Sequence, residues 1–141
     1  MPPNAQEKGR ILIIDDDPRV RDTHRRLLER AGFDVRALPS PYEGLDASRD
    51  WPPDVILLDL VMPTISGFEA VKVFKKRPTM KHAILIAFSG MITDNEVDRF
   101  RRIGFDEVLP KPVPAEELVI RIEEFLRRRR EEAGDVVKAD Q

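Results

Sequence analysis

One uninterrupted apolar run limits the folds open to this chain more than any other feature. Residues 54–62 read DVILLDLVM, after Trp-Pro-Pro and before Pro63. Four apolar residues (55–58) bounded by prolines predict a strand at residues 54–58 that is buried on both faces, as is typical of a parallel sheet. Asp59 follows this strand directly. Because a buried carboxylate is costly unless it is paired or coordinated, Asp59 is the first candidate site residue.

Other strands and helices alternate along the rest of the chain. The other predicted strands are residues 10–14, 33–38, 83–88 and 107–109. The predicted helices are residues 18–31, 41–49, 68–76, 94–104 and a last helix from near residue 114. Asp17, Ser40 and Thr93 are suitable caps for three of the helix starts. The alternation predicts an α/β fold in which five helices cover both faces of a doubly wound, five-stranded parallel sheet of order 2-1-3-4-5.

Composition excludes several classes of protein. The 141 residues suit one domain with a real core, and 35% of them are charged. The net charge of −2 gives no reason to expect general attraction to nucleic acid or membranes, and the absence of cysteine excludes disulfides and thiolate chemistry. The first apolar run, residues 11–14, is too short for a signal peptide or a membrane span. We therefore expect a cytoplasmic protein.

The two ends of the chain differ in composition from the middle. We expect a flexible leader at residues 1–9, one domain at residues 10–126, and a charged extension of the last helix at residues 127–141, with a polar tail that frays from Gly134. Four arginines at 127–130 could indicate nucleic-acid binding, but glutamates one turn before and after them form the i,i+4 pairs of a solvated helix. A dimer contact or a linker is the preferred interpretation of this extension.

Polar residues follow four of the predicted strands. Asp15 and Asp16 follow the first strand, Asp59 the third, Ser89 the fourth and Lys111 the fifth. The carboxyl ends of parallel strands meet at one edge of a sheet, so these side chains should converge there. Three carboxylates repel one another unless a cation intervenes, and oxygen ligands without His or Cys suit Mg²⁺ or Mn²⁺. A lysine and a hydroxyl beside them suit a phosphoryl group, so the pattern predicts metal-dependent phosphoryl transfer to the Asp59 carboxylate.

Four motifs carry a resemblance to a known family. They are IIDDDP (13–18), LLDLVMPxxxG (57–67), AFSG (87–90) and LPKP (109–112). At these intervals the sequence resembles the receiver domain of two-component response regulators over residues 9–126. The resemblance implies the flavodoxin-like receiver fold and a signalling role, in which the domain assists its own phosphorylation and dephosphorylation. The phosphoryl donor would be a sensor histidine kinase or a histidine phosphotransfer protein.

The resemblance also implies a role for each candidate residue. Asp59 would be the phosphoacceptor, Ser89 would bind a phosphoryl oxygen, and Lys111 would pair with the phosphoryl group across a cis Lys111–Pro112 bond. The expected Mg²⁺ ligands are Asp15, Asp16, Asp59 and the backbone carbonyl of Val61. Phosphorylation would then change protein contacts on the surface formed by the fourth helix, the fifth strand and the fifth helix. An unknown downstream protein or a second copy of the chain would bind there.

Three positions depart from the pattern of that family. Val108 stands where an aromatic residue usually precedes the lysine by three, so the resemblance does not extend to switching by a moving ring. Ser89 replaces the commoner threonine, a mild change. Val61 and Met91 are apolar where family members flank the phosphoryl group, and neither can orient a water molecule. We therefore expect slow loss of the phosphoryl group.

Other interpretations of the acids remain open. Asp15, Asp16 and Asp17 could serve only as helix caps and surface charge. A phosphatase of the haloacid-dehalogenase type also uses an aspartate nucleophile with Mg²⁺, although the sequence around Asp15 lacks the residues that usually follow and no cap-sized insertion is present. A nucleotide-binding module would need a glycine-rich turn after the first strand, whereas residues 15–18 of this chain are three aspartates and a proline. A receiver-like module that binds proteins without phosphorylation is the last alternative.

Overall fold

A parallel sheet organises the chain, as the computed structural model of residues 8–60, 67–90 and 93–139 shows. Its strands are β1 (Arg10–Ile14), β2 (Asp34–Leu38), β3 (Val55–Asp59), β4 (Ile84–Ser89) and β5 (Glu107–Pro110). The helices are α1 (Pro18–Arg30), α2 (Pro41–Ala47), α3 (Gly67–Lys76), α4 (Asp94–Ile103) and α5 (Ala115–Ala139). The strand order is β2-β1-β3-β4-β5 and every pairing is parallel. The predicted fold class and strand order are confirmed.

Burial along the strands follows their place in the sheet. Every residue of β3 and β4 is buried, in keeping with their uninterrupted apolar sequences. The edge strand β2 alternates polar and apolar residues and has no buried position. The predicted edge position of this strand is therefore confirmed, and the fully buried strands place the polar groups at their ends inside the protein.

Two apolar layers hold the helices against the sheet, because successive side chains of a strand point to opposite faces. One layer combines alternate strand residues with side chains of α3 and α4: Leu12, Ile14, Ile56, Leu58, Phe74 and Phe100. The other layer combines the remaining strand residues with side chains of α1 and α5: Ile11, Ile13, Leu57, Phe88, Leu28 and Phe125. Each helix contributes a single apolar stripe, which explains the 3.6-residue spacing of its hydrophobic residues.

The predicted helix caps are present. The side chain of Asp17 accepts a hydrogen bond from the backbone N–H of Arg19, and Pro18 begins α1. At α4 the Thr93 hydroxyl accepts from the backbone N–H of Glu96 while the Glu96 carboxylate accepts from that of Thr93. These contacts fix the helix starts one residue after the caps.

Residues near both ends of the described chain take part in the fold. Lys8, assigned to the leader, lies 3.2 Å from a carboxylate oxygen of Glu123, and Gly9 is buried. Helix α5 continues through Gly134 to Ala139, whereas fraying from Gly134 was predicted. Among the described residues, no helix is long and apolar enough to cross a membrane.

Candidate functional site

The predicted site residues lie at one edge of the sheet. Asp15 directly follows β1, Asp59 and Ser89 are the last residues of β3 and β4, and Lys111 directly follows β5. Asp59 pairs in register with Phe88, the residue before Ser89. Because all strands run in the same direction, these strand ends form a common rim on which the polar side chains converge.

The acids of this rim differ in exposure. Asp15 is 3% exposed and Asp59 is 6% exposed, whereas Asp16 faces solvent. Local hydrogen bonds fix Asp15: its Oδ1 accepts from the backbone N–H of Asp17 at 3.0 Å, and its backbone carbonyl accepts from Nη1 of Arg21 at 2.8 Å. Two of the three carboxylates are thus held inside the protein and the third opens to water.

Lys111 lies between the two buried carboxylates. Its Nζ is 3.4 Å from Oδ2 of Asp15 and 3.3 Å from Oδ2 of Asp59. The backbone N–H of Lys111 donates to the carbonyl of Ser89 at 2.7 Å, and the Lys111–Pro112 bond is cis, as expected. One ammonium therefore offsets part of the repulsion between two carboxylates that have little water around them.

The three acids are placed to hold a metal ion. Asp15, Asp16 and Asp59 each offer a carboxylate oxygen, and these oxygens all lie within 4.8 Å of one another. Carboxylates without nitrogen or sulfur ligands suit a hard divalent cation, which keeps waters on its open side. Because the Asp16 side chain is exposed to solvent, such waters have room beside it. Val61, the fourth predicted ligand, lies outside the described residues, as does Met91.

Two further predictions concern residues beside this rim. Ser89 is 7% exposed at the end of β4, one residue beyond Phe88, the register partner of Asp59. Val108 is half-buried and packs against the layer that includes α3 and α4. An aliphatic side chain thus occupies the position at which an aromatic ring would swing inward.

An aromatic ring that no sequence pattern indicated lies behind Lys111. Nζ of Lys111 lies 5.1 Å from the centroid of the Phe88 ring. The ring of His24, from α1, lies 5.2 Å from the Phe88 ring at an interplanar angle of 82°. His24 lies four residues after Val20, at the border of the core face of α1, and is half-buried. That spacing gives no indication of the ring that His24 contacts. Apart from the position of Phe88 before Ser89, nothing in the sequence indicated a role for this residue.

Burial and charge act on His24 in opposite directions. Burial lowers the pKa of His24 below its ordinary value, the nearby Asp15 carboxylate raises the pKa, and Lys111 lowers it again. The ring is therefore neutral at neutral pH. Its buried Nδ1 has no hydrogen-bond partner among the described residues.

Comparison with known proteins gives a consistent family. The family model described as response regulator receiver domain matches residues 11–123. The DNA-binding dual master transcriptional regulator RpaA of Synechocystis sp. is 35% identical over 121 residues, covering 84% of this chain and 49% of RpaA. The polar-differentiation response regulator DivK of Brucella ovis is 28% identical over 116 residues, covering 82% of this chain and 94% of DivK. The chain thus spans about half the length of RpaA and nearly all of DivK.

A solved structure shows the same architecture. The chemotaxis protein CheY4 of Vibrio cholerae superposes with a TM-score of 0.78 at 24% sequence identity, covering 82% of this chain and 97% of CheY4. At that identity the similarity concerns the fold alone.

Proposed function

This chain belongs to the response regulator receiver family, a family of two-component signalling domains, and from that membership we propose that Asp59 is its phosphoacceptor. Receiver domains bind a divalent metal at an acidic pocket and have kinases or phosphotransfer proteins as partners. The observation that carries the proposal is the position of Lys111, whose ammonium lies within 3.4 Å of both buried carboxylates, Asp15 and Asp59. The pocket of Asp15, Asp16 and Asp59 fits the phosphoacceptor site of the family.

The chemistry we propose is transfer from a phosphohistidine. A carboxylate oxygen of Asp59 attacks phosphorus, the P–N bond breaks, and the imidazole nitrogen of the donor keeps the electron pair and takes up a proton. The product is an aspartyl phosphate on Asp59. Lys111 then pairs with the phosphoryl group and the Ser89 hydroxyl donates a hydrogen bond to one of its oxygens.

We propose that the metal is Mg²⁺, with Mn²⁺ as a substitute. Asp15, Asp16, Asp59 and the Val61 carbonyl would hold it, the last from outside the described residues. When bound, the ion supplies positive charge beside the carboxylates and the phosphoryl oxygens. The domain would thus assist its own phosphorylation and dephosphorylation through the same residues.

We propose that phosphorylation changes protein contacts of α4, β5 and α5, with a downstream protein or a second copy of the chain as partner in the cytoplasm. RpaA is named as DNA-binding, but this chain matches only half of that protein. Because Val108 is aliphatic and half-buried, movement of Ser89 would pass to this surface through packing rather than through a swinging ring. The charged part of α5 that follows residue 126 is a further candidate for such a dimer contact, or for a linker.

We also propose slow hydrolysis of the aspartyl phosphate. Val61 and Met91 carry no group that can orient an attacking water molecule. Replacing Val61→Asn should therefore shorten the lifetime of the phosphoryl group, measured as loss of the adduct by mass spectrometry. Rapid hydrolysis in the wild type that Val61→Asn leaves unchanged would contradict the idea.

Intact-mass spectrometry after incubation with acetyl phosphate and Mg²⁺ tests the proposed function. We expect a single phosphoryl adduct that is absent in Asp59→Asn and absent when EDTA removes the metal. Asp50→Asn, at an exposed aspartate away from the rim, is the matched control and should keep the adduct. If neither acetyl phosphate nor a phosphohistidine donor gives an adduct, the chain is a binding module that works without phosphorylation.

A further inference from the structure

Phe88 contacts two functional elements of the molecule at once. Its ring lies 5.1 Å from Nζ of Lys111 and 5.2 Å from the ring of His24, which is nearly perpendicular to it at 82°. Phe88 is 3% exposed and belongs to the apolar layer beneath α1 and α5. Three elements, α1, β4 and the segment after β5, therefore meet at one aromatic ring behind the acidic pocket.

The residue on α1 is chemically unexpected for this place. A leucine could fill the same space, yet the position holds a histidine whose Nδ1 is buried with no hydrogen-bond partner among the described residues. Leaving a buried polar atom unpaired reduces stability. A polar group kept at such a cost beside a candidate site suggests a role other than filling space.

We propose that Phe88 and His24 are positioning residues for Lys111, acting as an aromatic wall that fixes the ammonium against the phosphoacceptor. This inference rests on the proposed function of Asp59. Neither residue touches the reacting atoms; both act through Lys111.

The need for such a wall follows from the side chain of lysine. Its four-carbon stem is flexible and its ammonium is a point charge, so two carboxylates alone leave several positions open to it. The face of an aromatic ring attracts a cation and offers no site for water, which limits the ammonium to the side of the pocket that faces Asp59. His24 contacts Phe88 in the edge-to-face geometry that aromatic pairs prefer and so restrains the ring itself.

The first test compares rings with aliphatic side chains at position 88. We expect the initial rate of adduct formation from acetyl phosphate, at saturating Mg²⁺, to fall about fivefold to tenfold in Phe88→Leu, because the cation–π attraction is lost. Phe88→Tyr keeps the ring and should stay within about twofold of the wild type. The matched control is Phe105→Leu: Phe105 is also 3% exposed but lies at the amino end of β5, so the variant should lose similar stability and keep the rate.

The second test uses His24→Leu, for which the inference predicts effects of opposite sign on two measurements. Removing the unpaired Nδ1 should raise the Tm, while losing the perpendicular ring contact should lower the phosphorylation rate about twofold to threefold. If His24 only filled space, the phosphorylation rate of His24→Leu would change in the same direction as its Tm. An unchanged rate in both His24→Leu and Phe88→Leu would overturn the proposal.

A spectroscopic reading separates positioning from general damage. In a sample with ¹³C-labelled lysine, the ring current of Phe88 should shift the ε-methylene protons of Lys111 upfield, with Lys111→Arg used to assign the signal. This shift should vanish in Phe88→Leu and persist in Phe88→Tyr; a signal at the ordinary position in the wild type would refute the wall. If the wild type forms no adduct at all, the proposed function fails, whereas a wild-type adduct with equal rates in the variants refutes only this inference.

Discussion

At the scale of single residues, the site depends on charges that are held in the protein interior. Asp15 and Asp59 are buried, and the ammonium of Lys111 lies within 3.4 Å of both carboxylates. A buried ion pair adds little net stability, but breaking it by removing one partner is costly. A bound metal would offset the same negative charge as the Lys111 ammonium. The two cations should therefore compete for the Asp15 and Asp59 carboxylates.

Replacing Lys111→Met should expose this competition. Without Mg²⁺ we expect the free energy of unfolding to fall by about 2 kcal/mol, because two buried carboxylates lose their shared cation. Saturating Mg²⁺ should stabilise the variant more than the wild type, because no ammonium opposes binding. Urea unfolding followed by the fluorescence of Trp51, the single tryptophan and 5% exposed, measures both effects. The exposed Lys81→Met is the control; equal stabilisation of variant and wild type by Mg²⁺ would contradict the account.

His24 should make stability depend on pH. Burial lowers its pKa below the ordinary value of 6.5, with Asp15 opposing and Lys111 adding to the shift. The unfolded chain then takes up a proton at higher pH than the native protein, so the stability contributed by the neutral ring is present above pH 6.5 and is lost as pH falls below it. In urea unfolding between pH 7.5 and 5.5, His24→Leu should lose less stability than the wild type. The exposed His82→Leu should behave as the wild type does, and parallel slopes for all three proteins would show that His24 is not the cause.

The residues of the rim could be predicted from the sequence, whereas the aromatic contacts behind Lys111 could not. The positions of Asp15, Asp16, Asp59, Ser89 and Lys111 could be predicted because strand ends are visible as apolar runs followed by polar residues. The contact of Phe88 with His24 and Lys111 depends on the distance between three elements, which no sequence period encodes. For the same reason, the direction of the His24 pKa shift required the structure.

At the scale of elements, local sequence signals predict the starts of helices more accurately than the ends of helices and strands. Strand β3 ends at Asp59 itself rather than at Leu58, and α2 ends at Ala47 rather than near Arg49. The starts depend on side-chain caps written in the sequence, whereas the ends depend on where the chain must turn to pack. The capping box of α4 is the clearest case, because both of its hydrogen bonds are formed.

Removing this cap should have a measurable cost. Thr93→Ala deletes the hydroxyl that accepts from the backbone N–H of Glu96, and we expect a loss of about 1 kcal/mol in the free energy of unfolding. Thr93→Ser keeps the acceptor and should lose at most a few tenths of that amount. Chemical denaturation of both variants beside the wild type measures the difference. Equal losses in Ala and Ser would mean that the methyl group, and not the cap, matters at this position.

At the scale of the whole molecule, α5 ties the amino end of the sheet together. Nη1 of Arg129 donates to the carbonyl of His82 at 2.9 Å, and Nη2 lies 3.7 Å from Oδ1 of Asp106. Arg130 donates to the carbonyl of Lys8 at 3.2 Å. The sequence predicted only pairs within the helix, such as Arg127 with Glu131, because contacts between distant segments leave no local pattern.

Two arginines of this helix should therefore differ in their effect on stability. We expect Arg129→Ala to lower the free energy of unfolding by about 1 kcal/mol, since it removes contacts to β4 and β5 segments. Arg127→Ala, whose partner is an exposed glutamate one turn away, should change it by less than about 0.5 kcal/mol. Urea unfolding of the two single variants compares them directly. A larger loss of unfolding free energy in Arg127→Ala than in Arg129→Ala would contradict the conclusion that α5 links the segments before the strands.

The central claim is that the phosphoryl group forms on Asp59 and on neither of the other two acids of the pocket. Borohydride reduces an aspartyl phosphate to homoserine, so treating the Mg²⁺- and acetyl phosphate-loaded protein and sequencing its peptides by mass spectrometry identifies the acceptor. The account predicts homoserine at position 59 alone, and none when EDTA is present. Homoserine at position 15 or 16, or an unmodified Asp59 in a protein that carries the adduct, would contradict it.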